Sequence, residues 1–452
     1  MKLKTTSLLI AGTLFGAAML PAQANNDAMI DLLKVLRDKG TISAQDYDLL
    51  ANAAKADKEA TEAAQAEVKA EVKEATADMP KITTKGKLVV EDREGNWSFQ
   101  PIGRVMWDAV TADADTGSES DDAEGTELRR ARLGFEGAIY SMGYKFEADF
   151  AGGDASIKDA YISYGNKLTD NTKYGVKLGQ SHIPFGLNTK ISSKYMSFMD
   201  RPLFADSSIS PARESGAVVS VNDKDYKWLL AAGLTNGGLS DGETDNNGST
   251  FAVRGSFVPY MQDSTHLLQI GAGYLTKGGG DSFKFDQRLV SHIDNSKPLS
   301  TGTVAASEFD GSDAFTVDAM GVFGSFHTMA EYIDYSIERE TADDIDIDGY
   351  AVEAGYFLTG ESLKWKKGYT SGISPKSKYG AWQIAARFEN LEIQDSQAGD
   401  DEADKFTIGV NYYPTQNTRL MLNYDKVTDL TVNGAGTSIE PSALKFRAQA
   451  YW

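Results

Sequence analysis

Cysteine is absent from this chain of 452 residues, and proline (11) and histidine (4) are scarce. Without cysteine, a disulfide framework and a thiolate metal site are both excluded. After the first 24 residues no apolar run approaches the roughly 20 residues that a membrane-spanning helix needs. Any part of the mature chain that crosses a membrane must therefore do so with strands.

Enzyme, cofactor and nucleic-acid signatures are missing as well. The histidines show no metal-ligand spacing; they are His182, His266, His292 and His327. Gly278-Gly279-Gly280 is not followed by a helix, so it is not a nucleotide-binding turn. A formal charge of −20 argues against nucleic acid as a partner. We expect no catalytic activity, no cofactor and no metal.

The first 24 residues are typical of a secretory signal peptide. Lys2 and Lys4 precede an apolar stretch from Leu8 to Leu20, and Ala22-Gln23-Ala24 supplies a small-x-small cleavage site. The chain is therefore expected to leave the cytoplasm.

Residues 25–80 are predicted to be helical and periplasmic. Gly40 ends a first short helix, and Ser43 is a candidate N-cap for a second one. The following segment to Pro80 is rich in Ala, Glu and Lys but has few large apolar residues, so it cannot form a core by itself. Either a thin coiled coil between copies or a solvated extension fits this composition.

Residues 81–452 are predicted to form a transmembrane antiparallel β-barrel, because apolar and polar residues alternate along them. In the last strand Leu444, Phe446 and Trp452 share one face while Lys445 and Arg447 share the other. A soluble β-sandwich or β-helix is the alternative. Sixteen strands are predicted, at 97–110, 128–139, 143–151, 156–165, 172–181, 215–222, 226–235, 250–260, 265–276, 313–323, 325–336, 348–358, 379–393, 404–413, 417–427 and 442–452.

Short turns alternate with long polar loops between these strands, as in bacterial barrels with periplasmic turns and outer loops. Residues 359–378 break the rule, since this periplasmic connection is long. It either contains two further β segments or is an enlarged turn.

Several motifs resemble, in order, those of the phosphate-selective porin O/P family. They are Leu128-Arg129-Arg130-Ala131-Arg132-Leu133-Gly134, Lys177-Leu178-Gly179-Gln180, Ile183-Pro184-Phe185-Gly186, Gly355-Tyr356-Phe357-Leu358-Thr359-Gly360-Glu361, Gly380-Ala381-Trp382 and Tyr412-Tyr413-Pro414. The resemblance implies a sixteen-stranded, trimeric outer-membrane porin with an infolded third outer loop. It also implies that the long connection after Phe357 is a family feature.

The third outer loop would run from His182 to Glu214 and resembles the constriction loop of that family. The candidate constriction and anion-binding residues are Ser192, Ser193, Lys194 and Arg201 on the loop, with Arg130 and Arg132 on the wall. Hydroxyl groups and cations suit an anion that must exchange its water shell for donors. An ordinary packed loop with exposed cations is the alternative.

Strand parity predicts further charged side chains that face the lumen. Arginine on the lipid face near the midplane would cost about 2–4 kcal/mol, which supports this assignment. The predicted lumen-facing residues include Arg104, Asp159, Lys177, Arg254 and Arg387, together with Arg419, Arg447 and the acids Asp108, Glu136, Glu147, Asp149, Glu331, Glu353 and Glu389.

The predicted function is passive diffusion of small polar or anionic solutes, such as phosphate, through an outer-membrane porin. Expected partners are lipopolysaccharide, the barrel assembly machinery and two further copies in a homotrimer. A non-selective or cation-preferring porin is one alternative, since acids also face the lumen. A barrel that acts mainly as a surface adhesin or receptor is another, suggested by its acidic outer loops.

The final residue, Trp452, is a candidate assembly signal, because a terminal aromatic residue resembles the signal that hands outer-membrane barrels to their insertion machinery. A simple aromatic-girdle residue is the alternative. We expect deletion of Trp452 to reduce the amount of folded barrel in cells, measured by heat-modifiable gel mobility. An unchanged amount of folded protein would contradict the signal role.

Overall fold

The computed structural model describes residues 22–76, 79–84, 86–113, 122–205, 208–237, 248–294 and 296–452. The predicted signal peptide lies outside the described residues up to position 21. The strands are, in chain order, β1 Lys81–Thr83, β2 Val89–Glu91, β3 Trp97–Asp113, β4 Asp122–Ile139, β5 Met142–Asp149, β6 Ser156–Lys167, β7 Thr172–His182, β8 Arg213–Asp223, β9 Trp228–Thr235, β10 Thr250–Asp263, β11 His266–Gly278, β12 Phe283–Gln287, β13 Leu299–Val304, β14 Phe309–Phe323, β15 Phe326–Arg339, β16 Ile345–Phe357, β17 Lys364–Lys366, β18 Tyr369–Ser371, β19 Ala381–Gln394, β20 Asp401–Thr415, β21 Thr418–Val432, β22 Ala435–Gly436 and β23 Ser442–Tyr451.

Two helices precede the strands: α1, Ala22–Asp38, and α2, Ala44–Ala75. Ser43 caps α2 as predicted, because its hydroxyl oxygen accepts a bond from the Asp46 amide at 3.1 Å. The chain contains two compact units, and the first ends at Pro80. Among the described residues, no helix is both long and apolar enough to cross a membrane. The periplasmic location of residues 25–80 stays a prediction.

The predicted barrel is confirmed. Within the described chain, sixteen antiparallel strands close on themselves: β3 to β11, β14 to β16, β19 to β21, and β23. Closure pairs β23 with β3 over the register from Ser442 opposite Asp113 to Tyr451 opposite Arg104. The Trp452 amide continues this seam by donating to the Gly103 carbonyl at 3.2 Å. A closed barrel leaves no unpaired strand edge in the membrane.

At membrane level the strands present apolar side chains outward and polar ones inward. On β16, Val352 and Tyr356 are exposed outside while Glu353 is buried inside. On β19, Trp382 and Ile384 are exposed while Gln383 and Arg387 are buried. This alternation is what lipid outside and a polar interior require.

Above that level the two faces exchange their character on β15, β16 and their neighbours. Ile333, Ile337 and Ile347 are buried on the inner face, whereas Asp334 and Asp346 are exposed on the outer face. The strands β14, β20 and β21 accordingly run several residues further at this end than predicted. The alternation continues, but here the inner face is apolar and the outer face is polar, because water lies outside the barrel and a protein core lies inside it.

Three segments fold into the barrel and build that core. The outer loop 183–212 and the β12–β13 hairpin bury Phe185, Leu203 and Phe285 against the reversed inner face. From the other end the connection 358–380 buries Leu363 and Trp365 against the loop residue Leu187 and the wall. The enlarged connection thus contains the two extra β segments that were one of its predicted forms, and they lie inside the barrel.

The infolded segments fill the side of the barrel formed by β10, β11, β14 to β16, β19 to β21 and β23. On the other side, along β4 to β8, inner-face residues such as Glu136, Lys145, Tyr161 and Lys177 stay partly exposed. Open space for a solute is therefore restricted to one side of the barrel.

Phe285 should be important for holding the β12–β13 hairpin inside, since its side chain is fully buried. Replacing it by Ala removes packing worth about 3–5 kcal/mol. We expect Phe285→Ala to make residues 283–304 sensitive to protease added to intact outer membranes, while the barrel stays folded. The matched control is Thr303→Ala, on the exposed face of the hairpin. Equal protease resistance of both variants would contradict the packing role.

Candidate functional site

The loop 183–212 enters the barrel through a turn at Gly186, whose φ of 65° suits glycine. The wall then holds the loop by its backbone. The carboxylate of Glu331 on β15 accepts the amide hydrogens of Leu187 at 2.5 Å and Asn188 at 2.8 Å, and the Asn188 side-chain amide at 2.8 Å. Thus Glu331 fixes the start of the loop.

Two further wall residues accept bonds from the second half of the loop. Glu389 on β19 accepts the Leu203 amide at 2.7 Å, and Asn423 on β21 accepts the Met199 amide at 2.8 Å. Buried backbone donors need such partners. The loop is therefore fixed to the wall at three points rather than hanging freely in the lumen.

Wall arginines hold the loop by its carbonyl groups. Arg387 donates to the Asp200 carbonyl at 2.9 Å, Arg419 to the Met196 carbonyl at 2.5 Å and Arg447 to the Met199 carbonyl at 2.6 Å. All three are at most 3% exposed. They lie on the inner face, as parity predicted, but the loop covers them, so they anchor the loop and do not line a path for solute.

Arg254 is covered in the same way. It is 2% exposed and bonded to the Asp318 carboxylate at 2.9 Å. A buried charge needs such a partner, and here the carboxylate neutralises the guanidinium. Arg254 and Arg387 therefore stabilise the covered side of the barrel.

The predicted constriction residues Ser192 and Ser193 meet the opposite wall at Arg104 on β3. The Arg104 guanidinium donates to Ser193 Oγ at 2.9 Å and Ser192 Oγ at 3.3 Å, and to Glu147 at 3.1 Å. Arg132 pairs with Glu147 at 3.1 Å and with Asp149 at 2.7 Å. The tip of the loop is thus joined to the wall, and the wall arginines there are balanced by acids.

Arg201 and Arg130 both contact other groups of the protein. Arg201 donates to the loop carbonyls of Asn188 and Ile191, both at 2.9 Å, and so shapes the loop. Arg130 is 5% exposed, with Nη1 3.9 Å from the Met106 sulfur.

Lys194 is a loop cation that remains partly exposed. Its ammonium lies 5.6 Å from the centre of the Tyr195 ring and 5.2 Å from that of Tyr451, a cation–π arrangement. Burial, and then the charge of Arg104, lower the pKa of the Lys194 side chain to about 8. Lys194 is therefore charged at neutral pH and close to its titration range.

Lys177 and Asp159 lie lower on the open side. The Lys177 ammonium is 4.9 Å from the centre of the Tyr161 ring. Asp159 pairs with Lys145 at 2.8 Å and with Arg213 at 2.9 Å. Asp159 is thus neutralised by two cations, whereas no carboxylate pairs with Lys177 or Lys194 in the described part of the chain.

One cation on β4, Arg129, was not among the lumen-facing residues predicted from the alternation of side chains. Met106 pairs with Arg130 and Trp107 with Leu128, so Arg129 is the additional residue of a β-bulge. A bulge redirects side chains, and Arg129 lines the cavity on the extracellular side. The Arg-Arg pair in the sequence is the signal that could have indicated a bulge.

That outer cavity, of about 410 Å³, lies between the loop and the β12–β13 hairpin. Six cations and two carboxylates line it: Arg129, Arg201, Lys284, Arg288, Lys297 and Lys405, with Asp200 and Asp286. Of the cations, only Arg201 was singled out from the sequence. The basic residues of the segment 284–297 in so acidic a chain are the signal that was missed.

On the periplasmic side, a cavity of about 510 Å³ is lined by Lys167, Lys173, Lys177 and Lys367, with no carboxylate among the described residues. An adjacent cavity of about 420 Å³ is balanced, with Lys87 and Lys145 against Glu91 and Glu136. Cations therefore predominate in the outer cavity and in the lysine-lined periplasmic cavity.

The described residues offer no group of three metal-ligating side chains. Ser197 Oγ lies 3.3 Å from His327 Nε2, but His327 Nδ1 has no hydrogen-bond partner in the described structure. A hydrolytic triad needs an acid that orients the ring, so this pair does not form one.

Known proteins with similar sequences or folds include outer-membrane porins and channels. A family model described as phosphate-selective porin O and P matches residues 99–452. Porin O of Pseudomonas aeruginosa is 25% identical over 392 residues, which is 78% of this chain and 89% of that protein. An anion-selective porin from Comamonas acidovorans matches with a TM-score of 0.52 at 13% identity, covering 79% of this chain and 100% of that one. The outer-membrane channel DcaP of Acinetobacter baumannii matches with a TM-score of 0.51 at 12% identity, covering 80% and 99%.

Glu331 should determine how much of the lumen the loop blocks. Glu331→Ala leaves three loop donors without their acceptor, and each unsatisfied buried donor costs about 1–3 kcal/mol. We expect a higher and noisier single-channel conductance in planar bilayers. Asp334→Ala, on the outer face of the same strand, is the control and should conduct like the wild type. Identical conductance of Glu331→Ala and wild type would show that the anchor is dispensable.

Proposed function

Because the chain belongs to the phosphate-selective porin O and P family and is an outer-membrane porin, we propose that its pore passes small anions such as phosphate in preference to cations. Passage is passive diffusion, and the protein acts as a channel and not as an enzyme. The observation that carries this proposal is an excess of cations at three places inside the barrel. They are the outer cavity, the loop residue Lys194 and the lysine-lined periplasmic cavity.

The −20 charge of the whole chain does not oppose this preference. Charges on outer surfaces act through water, where the Debye length is about 8 Å at physiological salt. A charge that lines the pore acts on the ion at contact, where a unit pair at 4 Å gains about 1 kcal/mol in water and more in a less polar surrounding. Nearby cations therefore outweigh distant acids.

Lys177 in the periplasmic cavity and Lys194 at the tip of the infolded loop contribute most to the preference. Arg104 and Arg132 share their charge with Glu147 and Asp149, so they offer a passing anion mainly hydrogen-bond donors. Lysine without a carboxylate partner retains its full charge for the solute.

The porin assembles as a trimer in this proposal, with β3 to β6 between neighbouring barrels. β5 has only 8 residues, fewer than the roughly 9–11 needed to cross the membrane. Aromatic rings pack on the adjacent face, with Phe135 5.9 Å from Phe99 and 5.6 Å from Phe146. A neighbouring barrel would cover this part of the wall, where the strands are short.

Two further partners belong to the proposal. Lipopolysaccharide surrounds the outer surface of the trimer, and the barrel assembly machinery binds the strand that ends at Trp452.

Titration of Lys194 tests the proposal. Lys194 is charged below its pKa of about 8 and neutral above it, so its attraction for anions is present at pH 7 and lost at pH 9. We expect the anion preference, measured as a reversal potential in a salt gradient, to fall about fivefold over this range, which corresponds to about 1 kcal/mol.

Two variants separate Lys194 from other groups that titrate. Lys194→Arg should keep its anion preference at pH 9, because arginine stays charged. Lys194→Glu should shift the reversal potential towards cations already at pH 7. An ion preference that is the same in all three proteins would place selectivity elsewhere, and a cation-selective wild type would contradict the proposed function.

A further inference from the structure

The second half of α2 carries an apolar stripe without a partner among the described residues of its own unit. Helix α1 packs against the first half only, where Ala51 and Ala54 are buried and the Arg37 guanidinium lies 4.5 Å from the centre of the Tyr47 ring. Beyond Thr61, Val68 and Val72 are 57% and 45% exposed. With Ala64 they form a stripe at four-residue spacing, which lies along one side of a helix.

A partner would stabilise this part of α2, because most helical stability in proteins comes from packing of an apolar face. The stripe consists of small and β-branched residues and is narrow. Such a surface suits close approach of another helix better than burial beneath a large protein.

The charges beside the stripe indicate which helix that is. With 3.6 residues per turn, Glu67, Glu71 and Glu74 lie on one side of the stripe, while Lys69 lies on the other, with Glu62 two turns before it. When two identical helices pack in parallel, the left flank of one faces the right flank of the other, so acid meets base. In antiparallel packing the same acids would face each other.

We propose that the segment Thr61–Ala75 of α2 is a self-association surface that binds the same segment of other copies of this chain in parallel. The inference rests on the trimer in the proposed function. Five residues separate Ala75 from Lys81, the first residue of β1, so copies whose barrels are neighbours hold these segments at high effective concentration. Parallel orientation follows because every copy enters the membrane in the same direction. An apolar stripe that is too weak to hold free helices together in solution is then sufficient to hold these tethered segments together.

Cysteine cross-linking tests the surface, since the chain has no cysteine of its own. The full-length protein is prepared with Val68→Cys, in the stripe, and with Ala70→Cys, on the opposite side of the helix and equally accessible. A disulfide requires Cα atoms about 4.4–6.8 Å apart. After mild oxidation in outer membranes we expect several-fold more covalent dimer for Val68→Cys than for Ala70→Cys on non-reducing gels.

A second experiment exchanges the charges beside the stripe and measures the temperature at which the oligomer dissociates. Lys69→Glu should lower the temperature at which the oligomer dissociates, and Glu67→Lys added to it should restore that temperature in part. Absence of cross-linking at Val68→Cys, or equal cross-linking at both positions, would overturn the proposal. Conductance and heat-modifiable mobility are recorded for every variant, so failure of the pore or of the barrel trimer is seen separately from failure of the helical surface.

Discussion

Closure of sixteen strands is the constraint from which the remaining structure follows. A membrane strand must pair on both edges, and a sheet that closes with this many strands encloses a space wider than its own side chains can fill. Three segments therefore fold into the interior, and they decide what a solute meets. The wall provides anchors for these segments on β3, β11, β15, β19, β21 and β23, and an open surface on β4 to β8. A charged side chain that points inward therefore contacts solute only if its strand lies on the open side of the barrel. On the covered side it contacts protein.

The buried arginines illustrate this division. A guanidinium without a partner in a dry interior would be very costly, so each one on the covered side has carboxylates or carbonyls around it. Arg447 is bonded to Asp108 and to the Met199 carbonyl, and Arg387 to Glu389 and the Asp200 carbonyl. These bonds make the loop rigid and fix the narrow zone. They also remove the same cations from direct contact with the solute, which leaves lysines to provide unbalanced charge.

Much of the fold followed from the sequence because membrane strands obey a simple period. All sixteen strands, the Ser43 cap and the family were predicted and are confirmed. What the sequence could not show was the reversal of the two faces above the membrane, as at Ile347 and Asp346, since alternation looks the same whichever face is dry. Arg129 was missed because a bulge shifts parity by one residue. The covering of Arg254 and Arg387 depends on contacts between residues far apart in the chain, which no local pattern contains.

Ion selectivity in such a pore depends on the excess of one sign of charge over the other along the path of the ion, and not on the total charge of the chain. In the narrow zone acids compensate Arg104 and Arg132, which lowers the attraction for an anion but also avoids a trap from which it could not leave. Selective conduction requires that the pore bind the ion weakly and that charges of one sign predominate along it. The outer cavity and the lysine-lined periplasmic cavity supply the excess of positive charge at the two ends, where water is abundant and release is fast. Between them Lys194, held over two tyrosine rings, adds charge without a carboxylate that would cancel it. The difference between arginines compensated by acids or carbonyls and the two lysines without a carboxylate partner, Lys177 and Lys194, thus accounts for passage and preference together.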